Sequence, residues 1–392
     1  MSEIKNIIAA MQSAIGVSVK PNVPLVLHEP DIGESERQTV MDCLDSGWVS
    51  SLGPMINEFE DKLAEYCGVS NVVACVNGTA ALHIALYLAG VRPGDEVIVP
   101  AISFIATANA VIYNQAIPHF VDVNENDFSI DPFSLSTYLD EISEKRGDAL
   151  FNKNTGRKIS AIIPLHCFGY PCQINELVLL GERLGIPVVE DAAETLGSFI
   201  NNQALGSFGK ASILSFNGNK IITTGGGGAI LTNDADLARH ARHLITTAKI
   251  PHSWEYNHDE LGYNFRMPNL NAALGISQLG RMEEFLKNKA TLHLKYTNAF
   301  SLIDGVCLLE GRAGSSPNHW LNVIVLSQSM LAKRDKIIAA AHDVGLMVRP
   351  LWGLLPSQPH LQIGPKNQYP VAKSLAERII CLPSSHFLGK LK

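Results

Sequence analysis

Charge of one sign, long apolar runs and paired cysteines are what this 392-residue sequence lacks. Lys and Arg total 31 against 38 Asp and Glu, a formal net charge of −7, so a nucleic-acid partner is not expected. No apolar run approaches the roughly 18 residues a membrane span needs. The seven cysteines, at 43, 67, 75, 167, 172, 307 and 381, are odd in number and contain no CxxC pair. Neither a disulfide framework nor a zinc site is indicated, and a reducing cytoplasm fits. The amino-terminal "MSEIKNIIAAMQSAIG" carries Glu3 and scattered polar residues where a secretory leader would be apolar, and spaces Ile4, Ile7, Ile8, Met11 and Ile15 as a docking amphipathic helix would. Phosphate-binding fingerprints of the GxGxxG and GxxxxGK[ST] types are also absent, which disfavours a plain nucleotide-binding module.

What is present is a hydrophobic content of 46% with 18% charged residues, in a chain longer than the roughly 250 to 300 residues that one core usually supports. Between residues 70 and 235 lie seven short apolar runs: "NVVACV", "EVIVP", "IPHFVDV", "SAIIPLH", "IPVVED", "SILSF" and "GGAILT". Several are apolar at successive positions, as in strands of a largely parallel sheet buried on both faces. Helical patterns such as "TAALHIALYLAG" and "INELVLLGERLG" intervene. The expected fold is an α/β domain over 1–255, including the amino-terminal helix, and a smaller α+β domain over 256–392 hung on one long helix. The polar segment 141–160 reads as an exposed insertion. No internal repeat or low-complexity tract is found.

Chemistry concentrates at the expected strand ends. In "SFNGNKIITTGGGGAI" a single lysine, Lys220, follows a strand and precedes four glycines. In "VVEDAAETLG" Asp191 ends a strand, where an open α/β sheet presents its ligand crevice; the alternative is a helix N-cap. In "NGTAAL" Gly78 permits close approach, and the amides of Thr79 and Ala80 at a helix N-terminus offer a phosphate site. Phe104, in "PAISFIATANA", is a stacking platform or simply core. A Schiff-base lysine, an acid for a protonated pyridine nitrogen, a phosphate cradle joined by the Ser215 hydroxyl, and a flat apolar face are the requirements of pyridoxal 5'-phosphate.

The stretches "NGTAALHIAL", "PGDEVIVPAISFIATANAV", "VEDAAETLGS", "SFNGNKIITTGGGGAI" and "GYNFRMPNLNAALG", in this order and spacing, resemble the DegT-type sugar-nucleotide aminotransferases. These are pyridoxal-phosphate enzymes of fold type I, with a mostly parallel seven-stranded sheet between helices. The resemblance implies that Lys220 forms the Schiff base, Asp191 pairs with the pyridinium, Phe104 stacks on the ring, and Gly78, Thr79, Ala80 and Ser215 surround the phosphate. It further implies a homodimer with shared active sites, in which Asn264 reaches the neighbour's phosphate. Glu194 departs from the Gln or His of many relatives three residues after the aspartate and lies on the ring-hydroxyl side. With "TTAKIPHSWEYNHDELGYN", "NHWLNVIVL" and "VRPLWGLL", it resembles the perosamine-synthase and legionaminic-acid-pathway enzymes.

The implied reaction moves an amino group from L-glutamate to a nucleotide-linked 4-keto-6-deoxy sugar, with Lys220 as proton shuttle and the glycines keeping side chains out of its path. Amination at C3 or of a keto-octulosonate, and a regulatory protein that has kept the fold, are the alternatives. A dehydratase on the same scaffold would carry His at 220. Arg349 is a substrate-anion ligand or a surface ion pair, Trp352 lines the sugar site or is core, and His166 and His319 are structural histidines or catalytic bases, with His319 also a candidate for the substrate site. No metal is expected.

Overall fold

The computed structural model describes residues 2–16 and 22–390. All seven apolar runs form strands: β1 (Asn71–Cys75), β2 (Glu96–Pro100), β3 (Ile117–Val121), β4 (Lys158–Ile162), β5 (Val189–Asp191), β6 (Ala211–Ser215) and β7 (Gly228–Thr232). Pairings β1 to β7, β7 to β6 and β6 to β5, parallel bridges from Ile162 to Val188 and from Leu165 to Asp191, and pairings β4 to β2 and β2 to β3 give the spatial order β1-β7-β6-β5-β4-β2-β3. Only β7 runs against its neighbours. Their residues are buried almost throughout, because helices cover both faces and leave no polar side to alternate toward.

The expected exposed insertion is partly structural. Residues 143–146 and 149–152 form an antiparallel hairpin that pairs with the start of β4, and Asn152 and Thr155 donate to the buried Glu96 carboxylate at 2.8 and 2.6 Å. The hairpin tip stays exposed.

Two boundary expectations are corrected. The helix Ser2–Ile15 does not belong to the large domain: Ile7, Met11 and Ile15 pack with Leu292, Tyr296, Ile324 and Leu388 in the core of the carboxyl-terminal unit. Its apolar face had no preference written in the local sequence, and the matching face lies on the helix Met282–Phe300. The expected single long helix is two, Asn269–Leu279 and Met282–Phe300, broken at Gly280–Arg281, where Arg281 turns to bind Asp31, Glu36 and Glu284. The first of the two packs its Ala272 and Leu279 into the large domain's core. Beyond it, β8 (Val306–Leu308), β9 (Asn322–Leu326), β10 (Arg349–Pro350) and β11 (Ile379–Leu382) form an antiparallel sheet in the order β8-β9-β11-β10. Among the described residues no helix is long and apolar enough to cross a membrane.

Candidate active site

The carboxyl ends of β1, β2, β5 and β6 open on one crevice, and a cavity of about 300 Å³ there is walled by Thr79, Phe104, Asp191, Ser215, Lys220 and Trp352, among others. Stretches spread along the chain from Asn77 to Trp352 thus meet at one edge of the sheet.

Strand alternation decides which acid faces it. Glu190 points away and is consumed structurally, accepting the Gly206, Phe208 and Gly209 amides at 2.8–3.0 Å. Asp191 faces the cavity, 5% exposed. Its Oδ2 accepts the Thr107 hydroxyl at 2.6 Å, Thr107 is in turn 2.5 Å from the Ser103 hydroxyl, and Oδ1 accepts the Ala193 amide at 3.3 Å. No helix follows it, so the N-cap alternative falls. Burial pushes its carboxyl above the usual range, against those hydrogen bonds and the charge of Lys220. A cation bound beside it would relieve that burial.

Lys220 sits on a turn after β6, its amide bonded to the Asn217 carbonyl at 2.9 Å. Its Nζ lies 3.5 Å from Glu194 Oε1 and 4.0 Å from the centroid of the Trp320 ring. The Trp320 indole N–H is donated to the Asn219 carbonyl at 2.7 Å, so the indole holds the lysine's turn while it flanks the amine. Glu194 is anchored through Oε2 by the Phe168 amide at 2.7 Å. Burial raises its carboxyl to about 7, although the nearby Lys220 charge and the Phe168 amide act the other way.

At the opposite wall, the helix Gly78–Ala89 begins at Asn77, whose Oδ1 accepts the Ala80 amide at 2.8 Å. Ala80 is therefore spent on the cap and lies outside the cavity wall, contrary to its expected place in the cradle. Gly78 and Thr79 remain on the wall, beside Ser215. A Cβ on Gly78 would stand 3.0 Å from Ser215 Cβ, so the glycine is what lets the helix start meet the strand end. Within the glycine run, Gly227 and Gly228 serve close packing and not the clear path expected of the whole run. A Cβ on Gly227 would meet Thr224 Oγ1 at 2.2 Å, and one on Gly228 the Gly78 nitrogen at 2.5 Å; these positions let backbone and side chains pack behind the site. Gly226 alone of the run combines a place on the wall with open space around its missing side chain.

Phe104 is 53% exposed at the cavity mouth, its ring centroid 6.3 Å from that of Trp352; it is not core. Trp352 also packs on Phe168 at 5.0 Å. Arg349 is exposed on an adjoining cavity and donates to the Val348 carbonyl at 3.3 Å, with no carboxylate partner among the described residues. His319 is off the cavity wall. It stacks on His293 at 4.0 Å, bonds the Tyr170 hydroxyl at 3.0 Å, and is lowered to about 3 by burial and then by His293 and Lys289. His166 is fully buried, with Nδ1 accepting the Cys172 amide and Nε2 on Glu190; both histidines have structural surroundings. Asn264 is exposed, bridged to Thr246 and away from this cavity in its own chain.

Thr107, Trp320 and Asn219 were not anticipated. Thr107 lies in the first turn of the helix Ile105–Tyr113 and links the Ser103 hydroxyl to Asp191; Trp320 and Asn219 lie in stretches that carry the family resemblance, but their meeting is a contact between residues 101 positions apart that no local pattern announces.

A lysine amine, a buried acid, a helix start beside a serine hydroxyl, and an aromatic ring at the mouth fit pyridoxal phosphate, in the frame of a fold type I pyridoxal-phosphate-dependent transferase. The chain belongs to the DegT/DnrJ/EryC1/StrS aminotransferase family, which matches residues 30–390; it is a pyridoxal-phosphate-dependent sugar aminotransferase. It is 35% identical over 364 residues to the putative pyridoxal phosphate-dependent aminotransferase EpsN of Bacillus subtilis, covering 92% of this chain and 90% of that one. To a GDP-perosamine synthase of Caulobacter vibrioides it is 36% identical, covering 85% and 86%. Among solved structures, the aminotransferase TlmJ from Streptoalloteichus hindustanus superposes with a TM-score of 0.82 at 28% identity, covering 92% and 93%.

Proposed function

We propose that the protein transfers an amino group from L-glutamate to C4 of a nucleotide-linked 4-keto-6-deoxy sugar, and that Lys220, Asp191 and Glu194 perform the proton chemistry. The observation that carries the assignment of roles is the Lys220 amine 3.5 Å from Glu194 in a cavity that also presents the buried Asp191. The likeness to a GDP-perosamine synthase over most of both chains supports the sugar class.

When bound, pyridoxal phosphate supplies a carbonyl that captures amines and a ring that accepts electrons. Asp191, held by Thr107 and the Ala193 amide, keeps a proton at the ring nitrogen. Gly78 and Thr79 present first-turn amides, and Ser215 its hydroxyl, to the phosphate. Phe104, at the cavity mouth, would offer its face to the ring. Lys220 Nζ takes a proton from the carbon that loses nitrogen in the donor and returns one to the carbon that gains it in the sugar. Glu194, raised to about 7, accepts and releases a proton near neutrality, and it keeps the ammonium form of Lys220 paired within the buried site. Trp320 holds the amine over this path and keeps water from that side. Asn264 completes the phosphate site of a second copy in a homodimer.

The test is mass spectrometry of products formed from a panel of GDP-, UDP-, dTDP- and CMP-linked keto sugars with 15N-labelled L-glutamate. One 4-keto-6-deoxy sugar is expected to gain a labelled amino group at C4, located by NMR. Exclusive labelling at C3, or turnover of no member of the panel, overturns the reading.

A further inference from the structure

Beside the Lys220 cavity lies a second of about 270 Å³ that shares Asn219, Trp320 and Trp352 with it and adds His28, Met347 and Arg349. His28 is 93% enclosed, at 7% exposure, and neither ring nitrogen has a hydrogen-bond partner among the described residues. Its backbone is pinned to the small domain on both sides: the Leu27 carbonyl accepts the Ser384 amide at 2.6 Å, and the Glu29 amide donates to the Ser385 hydroxyl at 2.9 Å. An imidazole so enclosed with both nitrogens unpaired is costly unless something else satisfies it, and this one belongs to the lining of a cavity that shares three residues with the catalytic pocket.

We propose that His28 is a specificity-determining residue that hydrogen-bonds a neutral ring substituent of the sugar acceptor, a hydroxyl or an acetamido group. The assignment rests on the sugar-nucleotide reading of the site. Burial, and then the charges of Lys289, His386 and Lys220, keep the ring well below its ordinary protonation range. It is therefore neutral, with one N–H donor and one acceptor. A hydroxyl or an amide offers the complementary pair, whereas a carboxylate offers acceptors only and is better matched by the Arg349 guanidinium on the same cavity. The Trp320 and Trp352 indoles both line this cavity and offer apolar surface to a sugar ring. The amino donor, in contrast, needs no partner at His28.

The two half-reactions of the holoenzyme separate these roles. Stopped-flow absorbance follows conversion of the cofactor by L-glutamate, and then its reconversion by a GDP-linked 4-keto-6-deoxyhexose or a UDP-linked 4-keto-6-deoxy-N-acetylhexosamine. His28→Phe, which keeps a planar ring without either nitrogen, is expected to lower kcat/KM of the sugar half-reaction by roughly tenfold to a hundredfold and to leave the glutamate half-reaction within about twofold. His28→Asn, which retains a donor and an acceptor, is expected to recover part of the loss and so separates lost hydrogen bonding from lost packing. Equal losses in both half-reactions, no loss with the sugar, or a loss that Asn does not ease would overturn the proposal. If the native enzyme aminates neither sugar, the substrate reading falls and takes the His28 assignment with it, a result distinct from an active native enzyme matched by His28→Phe.

Discussion

Replacing Glu194 by Gln removes a charge whose cost is written in the structure. In the cofactor-free protein the carboxyl is displaced by burial from 4.5 to about 7, which corresponds to roughly 3 kcal/mol at about 1.4 kcal/mol per tenfold change in proton affinity. The folded state holds this proton more tightly than the unfolded chain does. Below 4.5 both states are protonated and the group contributes nothing; between 4.5 and 7 stability falls as pH rises; above 7 the full penalty is present. Gln keeps an oxygen to accept the Phe168 amide, at the cost of placing an amide near the Lys220 ammonium. Glu194→Gln is therefore expected to gain stability relative to the native chain as pH rises, by about 2 kcal/mol between pH 5.5 and 8.5. Urea unfolding of both cofactor-free proteins across that range measures it. Parallel pH profiles would refute the reasoning, because they would mean that Glu194 is ionised at no cost, with Lys220 compensating its burial fully.

Three further outcomes follow from the site. Asp191→Asn is expected to lower transamination by orders of magnitude while much cofactor stays bound, since the phosphate contacts do not depend on the acid; cofactor content and rate, measured together, check it, and near-native turnover would remove Asp191 from the chemistry. Gly228→Ala forces a Cβ to within 2.5 Å of the Gly78 nitrogen and is expected to destabilise by about 1–3 kcal/mol and weaken cofactor affinity, read by thermal unfolding and cofactor titration; an unchanged protein would show that the close packing is not needed. Exchanging subunits between inactive Lys220→Ala and inactive Asn264→Glu proteins is expected to restore about half the native activity per heterodimer, because one site then carries both defects and the other none; verified heterodimers without activity would place Asn264 within its own site.

All seven strands of the large sheet were legible because strands buried on both faces are apolar at nearly every position, a signal that needs no knowledge of partners. Lys220, Asp191, Thr79 and Ser215 were legible for a related reason: each follows closely on a strand or opens a helix, so local pattern alone put them at one edge of the sheet. Contacts decided by distant residues were not legible. The amino-terminal helix reads as amphipathic, but its partner on Met282–Phe300 lies nearly three hundred residues away. Ala80 was misplaced because the competing Asn77 cap matters only once the helix start is fixed. Trp320 and His28 reach the site through long-range packing, and although Trp320 lies in a stretch that carries the family resemblance, no local pattern points either side chain at the site.

The central claim is that Lys220 is the amine that carries the cofactor, and the structure provides its sharpest competitor. Lys289 is the more deeply buried amine, but its Nζ donates to the Trp320 and Ser384 carbonyls at 3.1 and 2.5 Å, and burial lowers its proton affinity, a feature that by itself would favour a reactive amine. Borohydride reduction of the native holoenzyme, followed by mass-spectrometric peptide mapping, decides between them. A pyridoxyl group on the peptide that contains Lys220, and on no other, is the result this account requires; the label on Lys289, or spread over several lysines, would contradict it.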